Sequence, residues 1–579
     1  MASRKRGVNW RLGAVVALIA LTALALTARL VQLQIVDHEH YATEARNIHV
    51  ARETVTGRRG ALLDRNGYPL AASKETYDVM AEVKAWKDPV EANRAAAAIA
   101  AVTDGDPKKM VAAVQGASIY EIAVARSLGY EEASRVRDLD LPGVRLLRSS
   151  ARLYPEGNLA AQLIGFVGQD NVGLTGLEVD LEGIIGGTRG TVVFERDGLG
   201  NQIALGDRSE LPPLPGSDVV LTIDRFVQRL AEKELDRAIK EHKAKGGTII
   251  VVQPETGEIL AMASRPTFDL TTLDLSDESK LALFRNRAIT DQYEPGSVFK
   301  LITTAAALDL GLVSPDTWWY DEGAFRSGGW VIRNWDLSAN GSQTVTQILA
   351  KSLNTGAAWL SQQVGPERFY DYVYRFGFGE TTGSGLGGEV GGRVRTPDND
   401  PDNWQPVDTA TNSFGQGISV TPLQMAMAIA AIANDGQLMK PMLVKEIISP
   451  SGAQAAQPEV VRQVISPETA RTLLDMMGVV VQGIPRTFLD VQGYTVGGKT
   501  GTANIASGDG GYKDSYIASF IGVVPLEDPQ LMVMVKIDEP EDVPWGTIVA
   551  APAFQRITQA ALAYFKIPPQ EPALVSEIR

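Results

Sequence analysis

The sequence predicts an α/β (α+β) protein with a single N-terminal membrane helix, a mixed scaffold module, and a large domain whose antiparallel sheet is covered by helices. Three observations support this fold class. An uncharged apolar segment occupies 12–28, a proline-rich joint occupies 212–216, and apolar strand-like runs lie near both ends of the second half. The predicted divisions are a tail at 1–11, an anchor at 12–36, the scaffold module at 37–211, a linker at 212–216 and the large domain at 217–579.

The N-terminal segment predicts a membrane anchor. Apolar character continues beyond Arg29 to Val36, which gives a helix long enough to span a bilayer. The alternative is a cleaved signal with an A-x-A site at 23–25, but continuation of the apolar pattern past that site favours an uncleaved anchor. The basic residues before the segment place the N-terminus in the cytoplasm and the rest of the chain outside; they are Arg4, Lys5, Arg6 and Arg11.

Composition excludes several classes of function. The chain has 44% hydrophobic and 21% charged residues, as folded modules do. Its net charge of -14 and pI near 5.0 argue against nucleic acid as a partner, because no basic block offsets the acidic residues. The absence of cysteine removes disulfides, thiolate nucleophiles and cysteine-ligated zinc, although it leaves the compartment undecided.

Short strand-like runs separated by turns are typical of the scaffold module. The run 61–70 contains Asn66-Gly67, which predicts a hairpin turn, and 191–199 predicts a further strand. The alanine-rich stretch 94–101 predicts a plain helix. These features indicate structural rather than catalytic roles.

Longer elements follow the proline-rich joint. Asp224 is a candidate N-cap for a helix through about Lys245. The periodicity of apolar residues and the turn residues predict strands at 248–253 and 259–264, joined as a hairpin. They also predict strands at 516–524 and 530–537 and a helix from about 551 to 565. Strands near both ends of the domain, flanked by terminal helices, predict an antiparallel sheet that is covered by helices.

The segment QYEPGSVFK at 292–300 raises the question of catalysis. Ser297 stands where a helix N-cap is expected, with Gly311 closing the helix, but it is also a candidate nucleophile. The usual base would be histidine, and only His242 of the four histidines lies in the second half, so a histidine triad stays open while lysine is the better base. Lys300, three residues after Ser297, shares its helix face.

A lysine acts as a base at neutral pH only if its surroundings lower its pKa, through burial or a second cation. The second cation predicted here is Lys499, in the strand-like run 494–503. Gly501, two residues later, would let another backbone approach the strand edge, as binding of an extended peptide requires.

Together these motifs resemble the S-x-x-K, S-x-N and K-T-G set of serine β-lactamases and penicillin-binding proteins. The S-x-x-K match at 297–300 and the K-T-G match at 499–501 are each unique in the chain. S-x-N occurs at 338–340 and at 352–354; the second is favoured because it follows a helical run and precedes Gly356.

Further segments resemble class B penicillin-binding proteins, and the resemblance covers essentially the whole chain. They lie at 285–297, 417–424, 519–525, 538–540 and 549–552, and 59–67 resembles the pedestal module of that class. Glu-Pro-Gly before Ser297, and the chain length, resemble the division-specific transpeptidases. Pro544-Trp-Gly546 departs from the aromatic-Gly-Gly form of the class, so no role is carried over to Trp545.

The resemblance implies a penicillin-binding, serine β-lactamase-like transpeptidase domain without metal or cofactor. Its implied catalytic residues are Ser297 as nucleophile, Lys300 as base, Ser352 as proton relay, Asn354 as a substrate-holding residue and Lys499 as the cation that attracts a carboxylate. Its implied substrate-binding residues are Thr500, Gly501 and Thr502, with the backbone N–H groups of Ser297 and Thr502 as the oxyanion hole.

The implied activity is cross-linking of peptidoglycan stem peptides ending in D-Ala-D-Ala, through an acyl-ester that β-lactams also form. The implied partners are a polytopic glycosyltransferase and other division proteins, and the implied location is the inner membrane with a periplasmic catalytic domain. The open alternatives are an elongation-type transpeptidase, a D,D-carboxypeptidase or β-lactamase, and a non-catalytic β-lactam sensor.

Overall fold

The computed structural model of the protein describes residues 10–41, 43, 50–195, 203, 206, 208–273, 275, 277–507, 511–541 and 543–570. Its strands, in chain order, are β1 Val50–Thr56, β2 Leu62–Leu63, β3 Pro69–Glu82, β4 Glu121–Leu128, β5 Val144–Leu153, β6 Arg189–Glu195, β7 Arg208–Leu211, β8 Asp218–Leu221, β9 Gly246–Gln253, β10 Glu258–Arg265, β11 Trp318–Asp321, β12 Ala324–Ser327, β13 Trp330–Arg333, β14 Gly341–Thr344, β15 Gln437–Met439, β16 Val444–Ser449, β17 Gly452–Ala455, β18 Val460–Gln463, β19 Gly497–Ala506, β20 Tyr512–Val524 and β21 Leu531–Asp538.

The α-helices, in chain order, are α1 Trp10–Val31, α2 Pro89–Thr103, α3 Pro107–Gln115, α4 Tyr130–Asp138, α5 Ala161–Ile164, α6 Gly176–Asp180, α7 Glu182–Ile185, α8 Arg225–His242, α9 Arg287–Thr290, α10 Lys300–Asp309, α11 Val345–Ala350, α12 Asn354–Val364, α13 Pro366–Arg375, α14 Pro406–Asn412, α15 Pro422–Ile432, α16 Pro467–Gln482, α17 Gly546–Val549 and α18 Ala551–Tyr564. Short 3₁₀ turns occupy Ala85–Lys87, Glu278–Phe284 and Gly296–Phe299.

The chain divides into two compact units. The first comprises the residues up to Arg58 together with Gly187–Pro215. Within it, α1 continues as a π-helical turn to Val36. Trp10–Val36 is a 27-residue helical segment that contains an unburied 18-residue stretch with mean hydropathy 2.3, and it is long and apolar enough to cross a membrane. The same unit contains an antiparallel sheet of order β1-β6-β7. The predicted strand at 191–199 is confirmed to Glu195, while its end, His49 and the basic residues Arg4, Lys5 and Arg6 lie outside the described residues.

The second unit, Arg59–Gly186 with Gly216–Arg579, contains a sheet that joins the two halves of the chain. Its strand order is β17-β16-β8-β2-β3-β4, with β5 also on β3, and β2 pairs in parallel with β8 through Leu62 and Val219. The hairpin turn at Asn66-Gly67 is confirmed between β2 and β3, and Gly67 adopts φ 84°. The predicted alanine-rich helix is α2.

A buried ion-pair network stabilises the N-terminal part of this unit. Arg59 is fully buried, and its Nε lies 2.7 Å from Glu178 Oε2. Arg152 contacts the other carboxylate oxygen of Glu178 at 2.7 Å, and Glu182 accepts a further bond from Arg59. Because unpaired buried charge is costly, loss of either Arg59 or Glu178 alone would leave an uncompensated charge in this network.

The sheet that carries the site has five strands in the order β10-β9-β21-β20-β19, all antiparallel, as predicted. Alternate side chains of β21 point to opposite faces of the sheet. Val533 and Val535 pack against α8 and α18 on one face, whereas Met532 and Met534 pack against α10 and α15 on the other. The antiparallel sheet covered by helices is therefore confirmed.

Local predictions in this domain agree with the structure to within a few residues. The Asp224 carboxylate accepts from the N–H groups of Phe226 and Val227, which confirms the N-cap. The helix ends at His242 rather than Lys245, because Lys243 adopts φ 47° and turns the chain into β9. The C-terminal helix ends at Tyr564, one residue before the predicted end.

Candidate active site

A short 3₁₀ turn, Gly296–Phe299, presents Ser297 and leads directly into α10. The prediction that Ser297 is a helix N-cap is wrong. Gly296, with φ 59°, makes the left-handed bend that starts the turn one residue before the serine, so Ser297 is already inside helical backbone. A Cβ on Gly296 would lie 2.8 Å from Thr502 O, so glycine is also required by close approach to β19.

The second motif lies in the turn between α11 and α12. Ser352 adopts φ 56°, a left-handed conformation that is uncommon for serine. Such backbone outliers concentrate at functional sites, where the surrounding structure holds them in place. The turn directs both the hydroxyl and the carbonyl oxygen of Ser352 toward Lys300.

The third motif lies on β19, the end strand of the five-stranded sheet. Lys499 pairs with Ile521 of β20 and its side chain is 1% exposed. A Cβ on Gly501 would lie 2.4 Å from Ser519 Oγ and 3.2 Å from Pro295 O. Gly501 therefore lies close to the Ser519 side chain and to the backbone that leads into the Ser297 turn. The sequence predicts a close approach by a bound peptide but does not predict these two contacts.

Lys300 Nζ lies at the centre of the three motifs. It is 3.1 Å from Ser297 Oγ, 3.1 Å from Ser352 Oγ, 2.6 Å from Ser352 O and 2.8 Å from Asn354 Oδ1. Lys499 Nζ approaches Ser352 Oγ from the other side at 3.0 Å. The Ser352 hydroxyl thus bridges two lysines, one of which contacts Ser297, and this arrangement can pass a proton from one hydroxyl to the other through an amine.

Burial determines the charge of both lysines. Lys300 is 1% exposed, and burial, followed by the nearby charge of Lys499, lowers its pKa well below the ordinary value. Burial lowers the pKa of Lys499 to about 7. Among the described residues, the acceptors around Lys300 are hydroxyl, carbonyl and amide oxygens, so no carboxylate offsets the effect of burial on its pKa. A neutral Lys300 has a lone pair that can accept the Ser297 proton.

Two of the predicted substrate-binding side chains lie apart from this cluster. Thr500 and Thr502 alternate with Lys499 and Gly501 along β19 and therefore point to the other face of the strand. Thr502 Oγ1 donates to Pro544 O at 3.3 Å, and Thr500 O accepts from Lys499 Nζ at 3.2 Å. Both threonines stay at the strand edge that faces no other strand in the described part of the chain.

The structure separates the alternatives left open by the sequence. The S-x-N match at 338–340 lies away from Lys300: Asn340 donates its backbone and side-chain N–H groups to the buried carboxylate of Asp321. The predicted turn at Asn340-Gly341 leads into β14 before the helix begins. His242 ends α8, which covers the opposite face of the sheet, so a histidine base for Ser297 has no support in the geometry.

Sequence reasoning assigned no role in the site to four residues near the motifs. The rings of Trp335 and Trp545 meet edge to face with centroids 5.1 Å apart, and both are exposed. Glu294 accepts from Gly417 N at 2.9 Å and from Tyr512 OH at 3.1 Å, and burial raises the pKa of its carboxyl. These pairs join segments distant in sequence, so no local spacing could reveal them.

Comparison with protein families gives two matches along the chain. Residues 247–559 match the family described as the penicillin binding protein transpeptidase domain, and residues 54–221 match the penicillin-binding protein dimerisation domain. The first match contains the three motifs and the five-stranded sheet.

Curated relatives match over nearly the full length. The chain is 35% identical to stage V sporulation protein D of Bacillus subtilis, over 95% of this chain and 84% of the relative. It is 33% identical to the probable peptidoglycan D,D-transpeptidase PenA of Neisseria gonorrhoeae, over 99% and 95%. It is 31% identical to the peptidoglycan D,D-transpeptidase FtsI of Escherichia coli, over 97% and 93%.

Solved structures are similar in fold. A peptidoglycan synthetase from Bifidobacterium adolescentis aligns with TM-score 0.73 and 26% identity, over 90% of this chain and 98% of that one. Penicillin-binding protein 3 of the tubercle bacillus, in complex with aztreonam, aligns with TM-score 0.68 and 29% identity, over 90% and 99%.

Proposed function

The chain belongs to the class B penicillin-binding protein family and is a peptidoglycan D,D-transpeptidase, and we propose that it cross-links stem peptides at the division septum. The observation that carries the chemistry is the position of Lys300 Nζ between Ser297 Oγ and Ser352 Oγ. The septal assignment rests on Glu-Pro-Gly before Ser297, as in division-specific members, and on the likeness to FtsI over most of both chains.

Acylation begins with transfer of the Ser297 proton to neutral Lys300. Ser297 Oγ attacks the carbonyl carbon between the last two D-alanines, and the oxyanion is held by the N–H groups of Ser297 and Thr502, each such donor being worth about 3 kcal/mol. Lys300 returns the proton through the Ser352 hydroxyl to the leaving amine, and terminal D-alanine departs. The product is an ester between Ser297 and the fourth residue of the stem.

Resolution of the ester reverses the proton path. The amine of a second stem attacks the ester carbonyl and gives up a proton, which returns through Ser352 or Lys300 to Ser297 Oγ. Lys499 attracts the donor carboxylate, Asn354 holds the peptide, and the edge of β19 at Thr500, Gly501 and Thr502 pairs with it. A β-lactam acylates Ser297 by the same path, and the ring-opened ester then prevents attack by the amine of the second stem peptide.

The acylation rate is expected to depend on pH in a bell shape. It rises as Lys300 loses its proton, because only the neutral amine is a base, and falls above about pH 7 as Lys499 loses the charge that attracts the carboxylate. Stopped-flow acylation by a chromogenic β-lactam measures this profile. Lys499→Arg should lose the falling limb, since arginine stays charged, whereas Lys351→Arg, at an exposed neighbour of Ser352, should keep it. A falling limb unchanged in Lys499→Arg would contradict the assignment.

The helix at the N-terminus suits an uncleaved anchor in the inner membrane, with a cytoplasmic N-terminus and a periplasmic catalytic domain. A proposed pedestal at 37–211 lies between the anchor and the proposed transpeptidase domain, 217–579, along the chain. The proposed partners are a polytopic glycosyltransferase that polymerises glycan, and other division proteins. An enzyme that cross-links new strands benefits from being tethered beside the enzyme that makes them, because tethering raises effective concentration.

Localisation and depletion test the septal role. A fluorescent fusion of the full chain is expected at midcell, and depletion is expected to give filaments, because septal cross-linking stops while elongation continues. A Ser297→Ala fusion should reach midcell as well, since anchor and pedestal are intact. Sidewall localisation with rounded cells on depletion would contradict the proposal in favour of an elongation enzyme. Hydrolysis of donor without cross-linked product would instead favour a carboxypeptidase.

A further inference from the structure

The far end of the hairpin formed by β19 and β20 extends beyond the strand that supports it. β20 pairs with β21 only from Ile517 onward, so in the described part of the chain residues 512–515 have β19 as their neighbouring strand. The ladder also changes register between Asn504 and Ala506, and an irregularity of this kind bends the strands. The direction of this part of the hairpin is therefore not set by the sheet alone. We call residues 504–506 and 512–515 the hairpin end.

Glu294 joins the hairpin end to the segment that carries Ser297. The hydroxyl of Tyr512, the first residue of β20, donates to Glu294 Oε2 at 3.1 Å. The other carboxylate oxygen, Oε1, accepts from Gly417 N at 2.9 Å. Glu294 lies three residues before Ser297, so one carboxylate connects the nucleophile segment, the chain at Gly417 and the hairpin end.

The surroundings of the Glu294 carboxylate strengthen these two hydrogen bonds. Burial raises the pKa of this carboxyl, although both hydrogen bonds oppose the shift. In the part of the chain that the structure describes, the donors to it are a backbone amide and a phenol hydroxyl, both uncharged. A hydrogen bond from a neutral donor to an ionised carboxylate is about twice as strong as one between neutral groups, and a low local dielectric strengthens it further. The contact is therefore suited to hold two segments together.

A second contact between the nucleophile segment and β19 lies closer to the middle of the strand. A Cβ on Gly296 would lie 2.8 Å from Thr502 O and 3.2 Å from Ala503 Cβ, so the two backbones approach closely there. Thr502 and Ala506 are four residues apart on β19, which is about 13 Å. Contact at Thr502 alone would let the hairpin pivot about that point. A further contact at Tyr512, which pairs with Ala506, fixes its direction as well.

We propose that Glu294 is a positioning residue for acylation, which holds the hairpin end against the nucleophile segment through Tyr512. β19 carries Lys499 and the N–H group of Thr502 that is proposed for the oxyanion hole, so the direction of this strand sets their distances from Ser297 Oγ. The inference rests on the proposed role of Ser297 as nucleophile, and it adds a residue outside the three motifs. Loss of the contact should slow acylation although every motif residue is still present.

The test measures second-order acylation of the full-length protein in detergent by a chromogenic β-lactam. Glu294→Ala, which removes both hydrogen bonds, should slow acylation about tenfold. Tyr512→Phe, which keeps the ring and removes only the hydroxyl, should slow it about fivefold. The combined variant should be no slower than Glu294→Ala alone, because the two groups act through one hydrogen bond.

The conservative variant Glu294→Gln separates contact from charge. Its amide oxygen can still accept from Gly417 N, and its amide N–H can donate to the Tyr512 oxygen. Acylation by Glu294→Gln should therefore stay within about threefold of the wild-type rate. If Glu294→Gln were as slow as Glu294→Ala, the negative charge rather than the contact would be required, and the proposal would be overturned.

Hydrogen exchange measures the contact without catalysis. Backbone amides of the hairpin end should exchange faster in Glu294→Ala and in Tyr512→Phe than in the wild type, as read by mass spectrometry of peptic peptides. This measurement does not depend on Ser297, so it decides whether the contact holds the hairpin end even if the wild type is not acylated. Absence of wild-type acylation would overturn the proposed function.

The matched control is Tyr77→Phe, which removes a tyrosine hydroxyl that donates to Glu75 at 3.2 Å on β3. It should change neither acylation nor exchange of the hairpin end. Three results would overturn the proposal: unchanged exchange of the hairpin end in both variants, acylation by Glu294→Ala within twofold of the wild type, or losses from Glu294→Ala and Tyr512→Phe that multiply in the combined variant.

Discussion

Replacement of Ser297 by alanine is expected to abolish both covalent labelling by a fluorescent penicillin and formation of cross-linked product. Removing the hydroxyl removes the proposed attacking atom, which lies 3.1 Å from Lys300 Nζ, and loss of a catalytic nucleophile costs about 10⁶-fold in kcat in enzymes that form acyl-esters. Labelling of the purified protein, read on a gel, and release of D-alanine from a stem pentapeptide measure the two effects.

The matched control for this substitution is Ser338→Ala. Ser338 belongs to the other S-x-N match and hydrogen-bonds with Asp336 at 2.7 Å, away from Lys300. Its loss should leave labelling within twofold of the wild type. Thermal unfolding of both variants should stay close to the wild-type Tm, since neither hydroxyl is deeply buried. Covalent labelling that persists in Ser297→Ala would contradict the nucleophile assignment.

Replacement of Lys300 by methionine is expected to slow acylation about 10²- to 10⁴-fold, the usual contribution of a positioned base. Methionine fills a similar volume, so the buried space stays occupied, but the lone pair that accepts the Ser297 proton is gone. The Ser352 carbonyl and Asn354 Oδ1 also lose the donor they share. Second-order acylation by a chromogenic β-lactam measures the rate.

Lys351→Met is the matched control for the lysine. Lys351 is exposed and adjacent to Ser352, so its replacement removes a positive charge near the site without touching the hydrogen-bonded cluster. We expect less than a twofold change in acylation. If the acylation rate of Lys300→Met stayed within tenfold of the wild-type rate, a different group would have to serve as the base. The neutral state inferred for Lys300 would then have no function in acylation.

Much of the catalytic domain could be predicted from sequence because its elements are locally specified. The predicted strands at 248–253 and 530–537 contain the continuous apolar runs 249–252 and 531–535, and Asp224 marks a helix start by its own hydrogen bonds. The spacing of Ser297 and Lys300 likewise follows from one helical turn. These predictions need no knowledge of distant residues.

What could not be predicted depends on contacts between distant segments. The left-handed bend at Gly296 follows from its close approach to Thr502, more than two hundred residues later, and it removes Ser297 from the cap position. The left-handed Ser352 is held by contacts with two lysines on other elements. The parallel pairing of β2 with β8 joins segments that composition alone assigns to separate modules.

The most direct test of this account is identification of the residue that a penicillin acylates in the wild-type protein. Tryptic digestion releases the peptide Ala288–Lys300, in which Ser297 is the one serine, beside the hydroxyls of Thr290 and Tyr293. Tandem mass spectrometry is expected to find the penicilloyl adduct on this peptide, with fragment masses that place it on Ser297. An adduct on any other residue, or no adduct on this peptide when the intact protein is labelled, would contradict the claim that Ser297 is the nucleophile activated by Lys300.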